Sequence, residues 1–157
     1  MARNNIVVSD TSPLLNLAFI DRLELLEAQF GKIRVPEQVW EEIQEGEKGK
    51  DLLDNRKGIL IEIVKVEEES LYTELRQKLD KGESAAITHA IKSNADLVLL
   101  DEKEGRQTAR KHNLEATGVI GVLIKASKNE KIDLKQDLDN LKDEGFWISE
   151  ELYRNII

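Results

Sequence analysis

Apolar residues fall along this chain in short β-branched or leucine runs, separated by stretches of helical period. Ile6-Val7-Val8 reads as a short buried strand that runs into Ser9 and Asp10. Leu14, Leu15, Leu17 and Ala18 follow at helical spacing, with Ser12 and Pro13 as the expected N-cap and first-turn pair. A second helix is predicted over 21–29, with Leu23, Leu25 and Leu26 turned inward. Ile33-Arg34-Val35-Pro36 is a short strand closed by proline, and a helix over 37–44 carries Val39, Trp40 and Ile43 on its inner face. The polar stretch 45–57 is the expected mobile insertion, with Leu52 and Leu53 as anchors for a short helix. A strand is predicted over 59–66. Helices are expected over 71–79 and, after a break at Gly82, over 83–92 with Ala86, Ile87, Ala90 and Ile91 as the inner stripe. Leu97-Val98-Leu99-Leu100 is the second strong strand and ends in Asp101. A helix over 103–112, a short strand over 114–117 and a helix over 118–128 follow. Two last helical patterns, 134–142 and 149–156, are joined by Gly145-Phe146-Trp147.

Short apolar strands alternating with helices predict an α/β domain with a parallel sheet. Ligands of such sheets bind beyond the carboxyl ends of the strands, which directs attention to Asp10 and Asp101. The 157 residues suit one domain, and no Gly-, Pro- or Ser-rich linker or internal repeat divides them. A single domain over 1–157 is therefore expected, with 133–157 as a C-terminal helical extension packed on it.

Composition narrows the chemistry. The absence of cysteine excludes disulfide scaffolds, thiolate metal sites and thiol catalysis. Charged residues make up 34% and the net charge is −8, which excludes a generic basic coat for nucleic acid. It leaves room for a nuclease whose acids gather on metal ions. Met1-Ala2-Arg3-Asn4-Asn5 has no apolar core or small-residue cleavage site, so no signal peptide is expected. No apolar run nears the roughly 18 residues of a membrane span. A soluble, cytoplasmic protein without membrane contact is the expectation.

Both strong strands end in aspartate, and acidic residues also open or ride the helices at Glu42 and Glu83. If the four acids converge, like charges repel and push protons onto some of them. Mg²⁺ or Mn²⁺ resolves this, since both prefer hard oxygen ligands and keep several waters. Metal-activated water is then a nucleophile for phosphodiester hydrolysis. Each acid also has a purely structural reading. Asp10 is placed to cap the next helix, although Ser12-Pro13 already offers a cap. Asp101-Glu102-Lys103-Glu104 has capping-box spacing. Glu83 suits a first helical turn by helix dipole alone. Glu42 stands beside Glu41, and spacing does not choose between them. Arg106, Arg110 and Lys111, and further on Lys125, Lys128 and Lys131, are either phosphate contacts or a solvated face of mixed charge.

Other residues carry less. His89 and His112 have no partner pattern, and Ser12, Ser84 and Ser127 lack a nucleophile-elbow setting. Gly118-Val119-Ile120-Gly121 is too short for a phosphate loop and reads as tight helix packing. Trp40 and Trp147 sit in apolar patterns expected of a core. The tail residues Trp147, Ile148, Leu152, Tyr153, Ile156 and Ile157 either close the core or cover a partner surface.

Taken together, these residues resemble the PIN-domain family. The matching pieces are Ile6-Val7-Val8-Ser9-Asp10-Thr11-Ser12-Pro13, Val35-Pro36-Glu37-Gln38-Val39-Trp40-Glu41-Glu42-Ile43, Gly82-Glu83-Ser84-Ala85-Ala86-Ile87 and Leu97-Val98-Leu99-Leu100-Asp101-Glu102. Gly118–Leu123 and the segment Leu141–Leu152, with its Gly145-Phe146-Trp147-Ile148-Ser149-Glu150-Glu151 core, are similar to a poorly characterised branch of that family, which itself resembles VapC-type toxin ribonucleases. The resemblance implies a PIN-like three-layer domain with a central, roughly five-stranded parallel sheet flanked by helices. It implies a Mg²⁺- or Mn²⁺-dependent ribonuclease whose catalytic and metal-binding acids are Asp10, Glu42, Glu83 and Asp101. Glu42 is chosen over Glu41 because the family's acid directly precedes an aliphatic residue, here Ile43. Thr11 or Ser12 matches the small hydroxyl residue after the first acid, a water or phosphate contact. Thr11, Ser12 and Arg106 are the expected substrate-binding residues.

Many relatives carry aspartate where this chain has Glu83, and the longer side chain suits a metal held through water. Glu102 and Glu104 are available as further acids. RNA, an antitoxin protein and a second copy of the chain are the partners the resemblance implies. One rival is a catalytically inactive PIN-like module that binds RNA or protein. Another is a phosphotransfer domain. An aspartyl phosphatase wants a second aspartate two residues after the first, where Ser12 stands. A receiver wants adjacent acids near the first strand, where only Asp10 is found.

Overall fold

The structure is a computed structural model that describes residues 5–157. The leaderless N-terminus expected from the sequence rests largely on residues 1–4, which lie outside the described residues. The chain begins with β1 (Val7–Ser9), α1 (Thr11–Phe19), α2 (Glu24–Phe30), β2 (Ile33–Pro36) and α3 (Glu37–Glu45). Next come α4 (Glu47–Leu53), a 3₁₀ turn (Asp54–Arg56), β3 (Ile61–Val64), α5 (Ser70–Leu75) and α6 (Lys81–Lys92). The last third holds β4 (Leu97–Leu99), α7 (Lys103–Lys111), β5 (Ala116–Thr117), α8 (Val119–Lys128), α9 (Leu134–Asp143) and α10 (Glu150–Ile156).

The five strands form one fully parallel sheet in the order β3-β2-β1-β4-β5. Helices cover both faces, which is why the strands read as unbroken apolar runs. Alternation along each strand divides the core in two. Val7 and Leu99 pack with Leu14, Leu17, Leu26 and Leu123 of α1, α2 and α8. Val8, Val98 and Leu100 pack with Ala86, Ile87, Ala90 and Ala109 of α6 and α7. The chain builds outward from β1 to β3, then crosses to place β4 on the other side of β1. That reversal opens a crevice beyond the carboxyl ends of β1 and β4, where ligands of open parallel sheets bind.

Several local expectations are corrected. The second helix starts at Glu24 rather than residue 21, because Asp21 adopts a left-handed φ of 57°. Residues 45–57 are an ordered element: α4 docks on α1, with Gly49 against Leu15 and Leu53 fully buried. Gly82 does not break a helix. Asp80 caps α6, which already begins at Lys81. In α1 the cap position belongs to Asp10, and Ser12 and Pro13 lie inside the first turn. Proline is tolerated there because the first four helical N–H groups have no partner in the helix. Trp147 is not core; it is 81% exposed. Its neighbour Ile148 is buried, as are Leu138 and Leu141 of α9. Asp137, also buried, receives Arg22 at 2.8 and 3.3 Å and ties α9 to the α1–α2 turn. Among the described residues no helix is long and apolar enough to cross a membrane.

Candidate active site

The four sequence-predicted acids stand in two different settings, with Asp10 and Asp101 beyond strands β1 and β4, Glu83 in the first turn of α6 and Glu42 within α3. Asp10 follows β1 and extends its ladder, its N–H donating to Leu99 O at 3.1 Å. Its carboxylate makes no capping hydrogen bond to α1 and is buried. Burial raises its pKa well above the ordinary aspartate value. The Thr11 backbone offsets part of this, while the charges of Asp80, Glu83 and Glu42 raise it further. Glu42, on α3, has a pKa raised by burial and by Asp80. Glu83, on α6, is pushed up to about 7 by burial and then by Asp80.

Gly82 is what allows this approach. A Cβ there would collide with Asp10 Oδ1 and stand 3.3 Å from Glu42 Oε2 and 3.5 Å from Thr11 Oγ1. The side chains of α1 and α3 therefore lean on bare backbone in the first turn of α6. Gly105 performs the same service for Glu83, whose Oε2 would lie 2.6 Å from an added Cβ. Glu83 also belongs to a capping box. Its N–H donates to Asp80 Oδ1 at 2.8 Å, and its Oε1 accepts from Asp80 N–H at 3.4 Å. Its other oxygen, Oε2, is buried with no hydrogen-bond partner.

Asp101 has a different set of partners. Its Oδ2 accepts from Ser12 Oγ at 2.6 Å and from Asn16 Nδ2 at 3.2 Å. Asn16 also donates to Ser12 Oγ at 2.9 Å, so one turn of α1 holds the carboxylate. Its Oδ1 accepts from the Val119 N–H at 2.7 Å, at the start of α8. Gly118 makes room for that bond, since a Cβ there would stand 2.6 Å from Oδ1. The capping-box reading of 101–104 is thus corrected: the cap position of α7 is Glu102, and Asp101 serves α8 instead.

Asp101 faces a groove of about 860 Å³ together with Ser12, Asn16, Arg106, Arg110 and Trp147. Arg106 Nη1 donates to the carbonyls of Leu100 and Asp101, and Arg110 Nη2 to Ala116 O at 3.1 Å. Ser12 lines this groove, whereas Thr11 is buried on the Gly82 side. The two hydroxyl residues left open by the sequence thus have separate positions. Glu42 and Asp80 open onto a second cleft of about 490 Å³.

Sequence reasoning missed Asp80 and Asn16. Asp80-Lys81-Gly82-Glu83 carries the capping-box spacing that would have found the first. Asn16 lies four residues after Ser12, on the same helical face. His89 lies 3.3 Å from Arg34 and is away from these acids.

The donors suit a hard divalent cation. They are carboxylates that repel one another, and one buried oxygen lacks a partner. Among the described residues no three acidic or histidine side chains already form a ligand cage. Mg²⁺ needs only one or two carboxylates, since it brings several of its own waters.

The chain matches a family model, DUF3368, described as a PIN domain, over residues 6–157, and it belongs to that family. PIN domains are in general a nuclease fold that works with divalent metals. Among solved structures, it is similar to a PilT N-terminus domain protein, SSO1118, from the hyperthermophilic archaeon Sulfolobus solfataricus P2. The TM-score is 0.61 at 17% identity, covering 77% of this chain and 92% of that one, a likeness of fold. No curated protein matches the chain.

Proposed function

We propose that this PIN domain is a metal-dependent endoribonuclease acting at the crevice between β1 and β4. The observation that carries the reading is the set of mutually opposed carboxylates Asp10, Glu42 and Glu83, whose pKa values are all raised, together with a groove that presents Asp101 and two arginines. Repelling carboxylates held against glycine backbone are costly for a fold without a cation to neutralise them. Asp10 and Asp101 would hold Mg²⁺ or Mn²⁺, with Glu42 and Glu83 acting directly or through water. The bound metal supplies an activated water and charge neutralisation at the phosphate. Ser12 and Asn16 fix the orientation of Asp101, and Val119 N–H fixes its second oxygen. Arg106 and Arg110 bind the RNA phosphates, preorganised by their bonds to strand-end carbonyls. No side chain forms a covalent intermediate.

The family resemblance extends the reading to the toxin of a toxin–antitoxin pair, restrained by a protein antitoxin and acting in the cytoplasm as a homodimer. The test is cleavage of a panel of single-stranded and structured RNAs in Mn²⁺, Mg²⁺ or EDTA. Metal-dependent cutting that an Asp10→Asn, Asp101→Asn double variant lacks, while remaining folded, is the expected result. Cutting that survives in the double variant, or no cutting by the wild type, overturns the reading. In the second case a module that only binds RNA or protein is what remains.

A further inference from the structure

The groove that holds Asp101 has an apolar rim that the rest of the fold leaves open. Gly145, at φ +97°, ends α9 in the left-handed turn that glycine favours, and Phe146 N–H bonds back to Leu141 O at 3.0 Å. Phe146 packs against the core and Ile148 is 7% exposed, so Trp147 is flanked by two anchored neighbours. Trp147 itself is 81% exposed. Ser149 then caps α10 by accepting from Leu152 N–H at 3.1 Å, and Leu152, also exposed, lines the same groove. An exposed indole forgoes the burial a core position would give, while its anchored neighbours keep it presented.

Arg106 and Arg110 line the same groove, one turn apart on α7. Each is tied to backbone carbonyls, and neither forms an ion pair among the described residues. This holds in a chain with 31 acidic residues. Two preorganised guanidiniums without an ion-pair partner and a presented indole therefore share one groove with Asp101, Glu102, Lys103 and Glu144.

We infer that Trp147 is a stacking platform for an unpaired base of single-stranded RNA whose backbone lies on Arg106 and Arg110. The inference rests on the ribonuclease reading and adds to it a residue that selects unpaired nucleotides. A nucleotide carries a flat π-face and an adjacent anion, and so satisfies both halves of the groove. An apolar protein segment satisfies only the rim. Base stacking on an aromatic ring is tolerant of sequence, so the platform selects strand state more than base identity.

The experiment is anisotropy titration of the full chain with short labelled oligoadenylate and oligouridylate, in EDTA and in Mn²⁺, beside an RNA duplex. Trp147→Ala and Trp147→Leu should each weaken single-strand binding by roughly tenfold, and Trp147→Phe should restore most of it. Duplex binding should be unchanged in all three. Thermal melting should not move, because the side chain is exposed. Equal affinities across the series overturn the inference, as does recovery by leucine, which packs but does not stack. No binding of either single strand by the wild type also overturns it. So does a change of sedimentation, from dimer to monomer, in Trp147→Ala with RNA affinity intact, which would assign the rim to a second copy. Cleavage measured alongside separates the two readings. Cutting with no Trp147 effect removes the platform alone. Trp147-dependent binding without cutting removes the nuclease and keeps the platform.

Discussion

Asp10 and Asp101 end neighbouring strands of one sheet, and Ser9 pairs with Leu99 just before them. Their surroundings are nevertheless opposite. Asp101 receives Ser12, Asn16 and the Val119 amide, so its charge is compensated by donors that the fold supplies. Asp10 is buried among Glu42, Asp80 and Glu83, so its charge is opposed. Asp101 is oriented by donors of the protein itself, whereas Asp10 is crowded by acids. One half of the crevice is preorganised by hydrogen bonds and the other by electrostatic frustration.

The same substitution at both positions breaks this comparison most sharply. Asp10→Asn and Asp101→Asn should each lower metal-dependent RNA cleavage by about 100-fold or more. Their effects on the metal-free fold should have opposite signs. Asp10→Asn removes a buried, opposed charge and should raise stability at pH 8. Asp101→Asn weakens three charge-assisted bonds and should cost about 2 kcal/mol. Urea unfolding in EDTA measures both, and destabilisation by Asp10→Asn would remove the contrast.

The two supporting glycines offer a second test. At Gly118 an added methyl meets Asp101 Oδ1 at 2.6 Å and the Leu100 carbonyl at 3.1 Å. Backbone gives way poorly, so Gly118→Ala should cost about 1–3 kcal/mol in stability. At Gly82 the methyl meets side chains of Asp10 and Glu42, which can swing aside. Gly82→Ala should therefore leave stability nearly unchanged and weaken Mn²⁺ binding in calorimetry.

A smaller effect is set by pH. Glu83 is raised from an ordinary glutamate value of 4.5 to about 7. Between these values the folded protein holds a proton that the unfolded chain has released. Stability in EDTA should consequently fall as pH rises from about 4.5 to 7, and level off above. Glu83→Gln should remove much of that slope. Saturating Mg²⁺ or Mn²⁺ should flatten it too, by binding the ionised carboxylates. The least effect is expected at Ser12. Ser12→Ala removes one of the bonds to Asp101 and should cost about 1 kcal/mol, with a modest loss of cleavage.

Much of this was legible in the residues. The runs at 6–8 and 97–100 placed both aspartates at carboxyl ends of strands, because the β-strand period and the parallel-sheet rule are local and topological facts. Glu42 and Glu83 were visible as helix acids, the family resemblance chose Glu42 over Glu41, and the structure brings Glu42 and Asp10 together at Gly82, next to Glu83. Capping was where local reasoning failed. Ser12 and Asp101 each have a plausible partner within four residues in sequence, yet they bond to each other across 89 positions. A spacing rule ranks neighbours along the chain and has no access to a competitor folded in from another element.

Periodicity, proline and glycine positions, and the lack of cysteine were sufficient to fix the α/β class and the absence of thiol chemistry. These depend on side-chain chemistry and short-range backbone preference, which every stretch of chain carries with it. The tertiary structure alone decided which carboxylate is compensated and which is opposed, because that depends on the crossover that puts β4 beside β1 and on glycines that let distant elements touch. It also decided that Trp147 faces outward, since the turn at Gly145, the partial burial of Phe146 and the burial of Ile148 outweigh the apolar pattern around it.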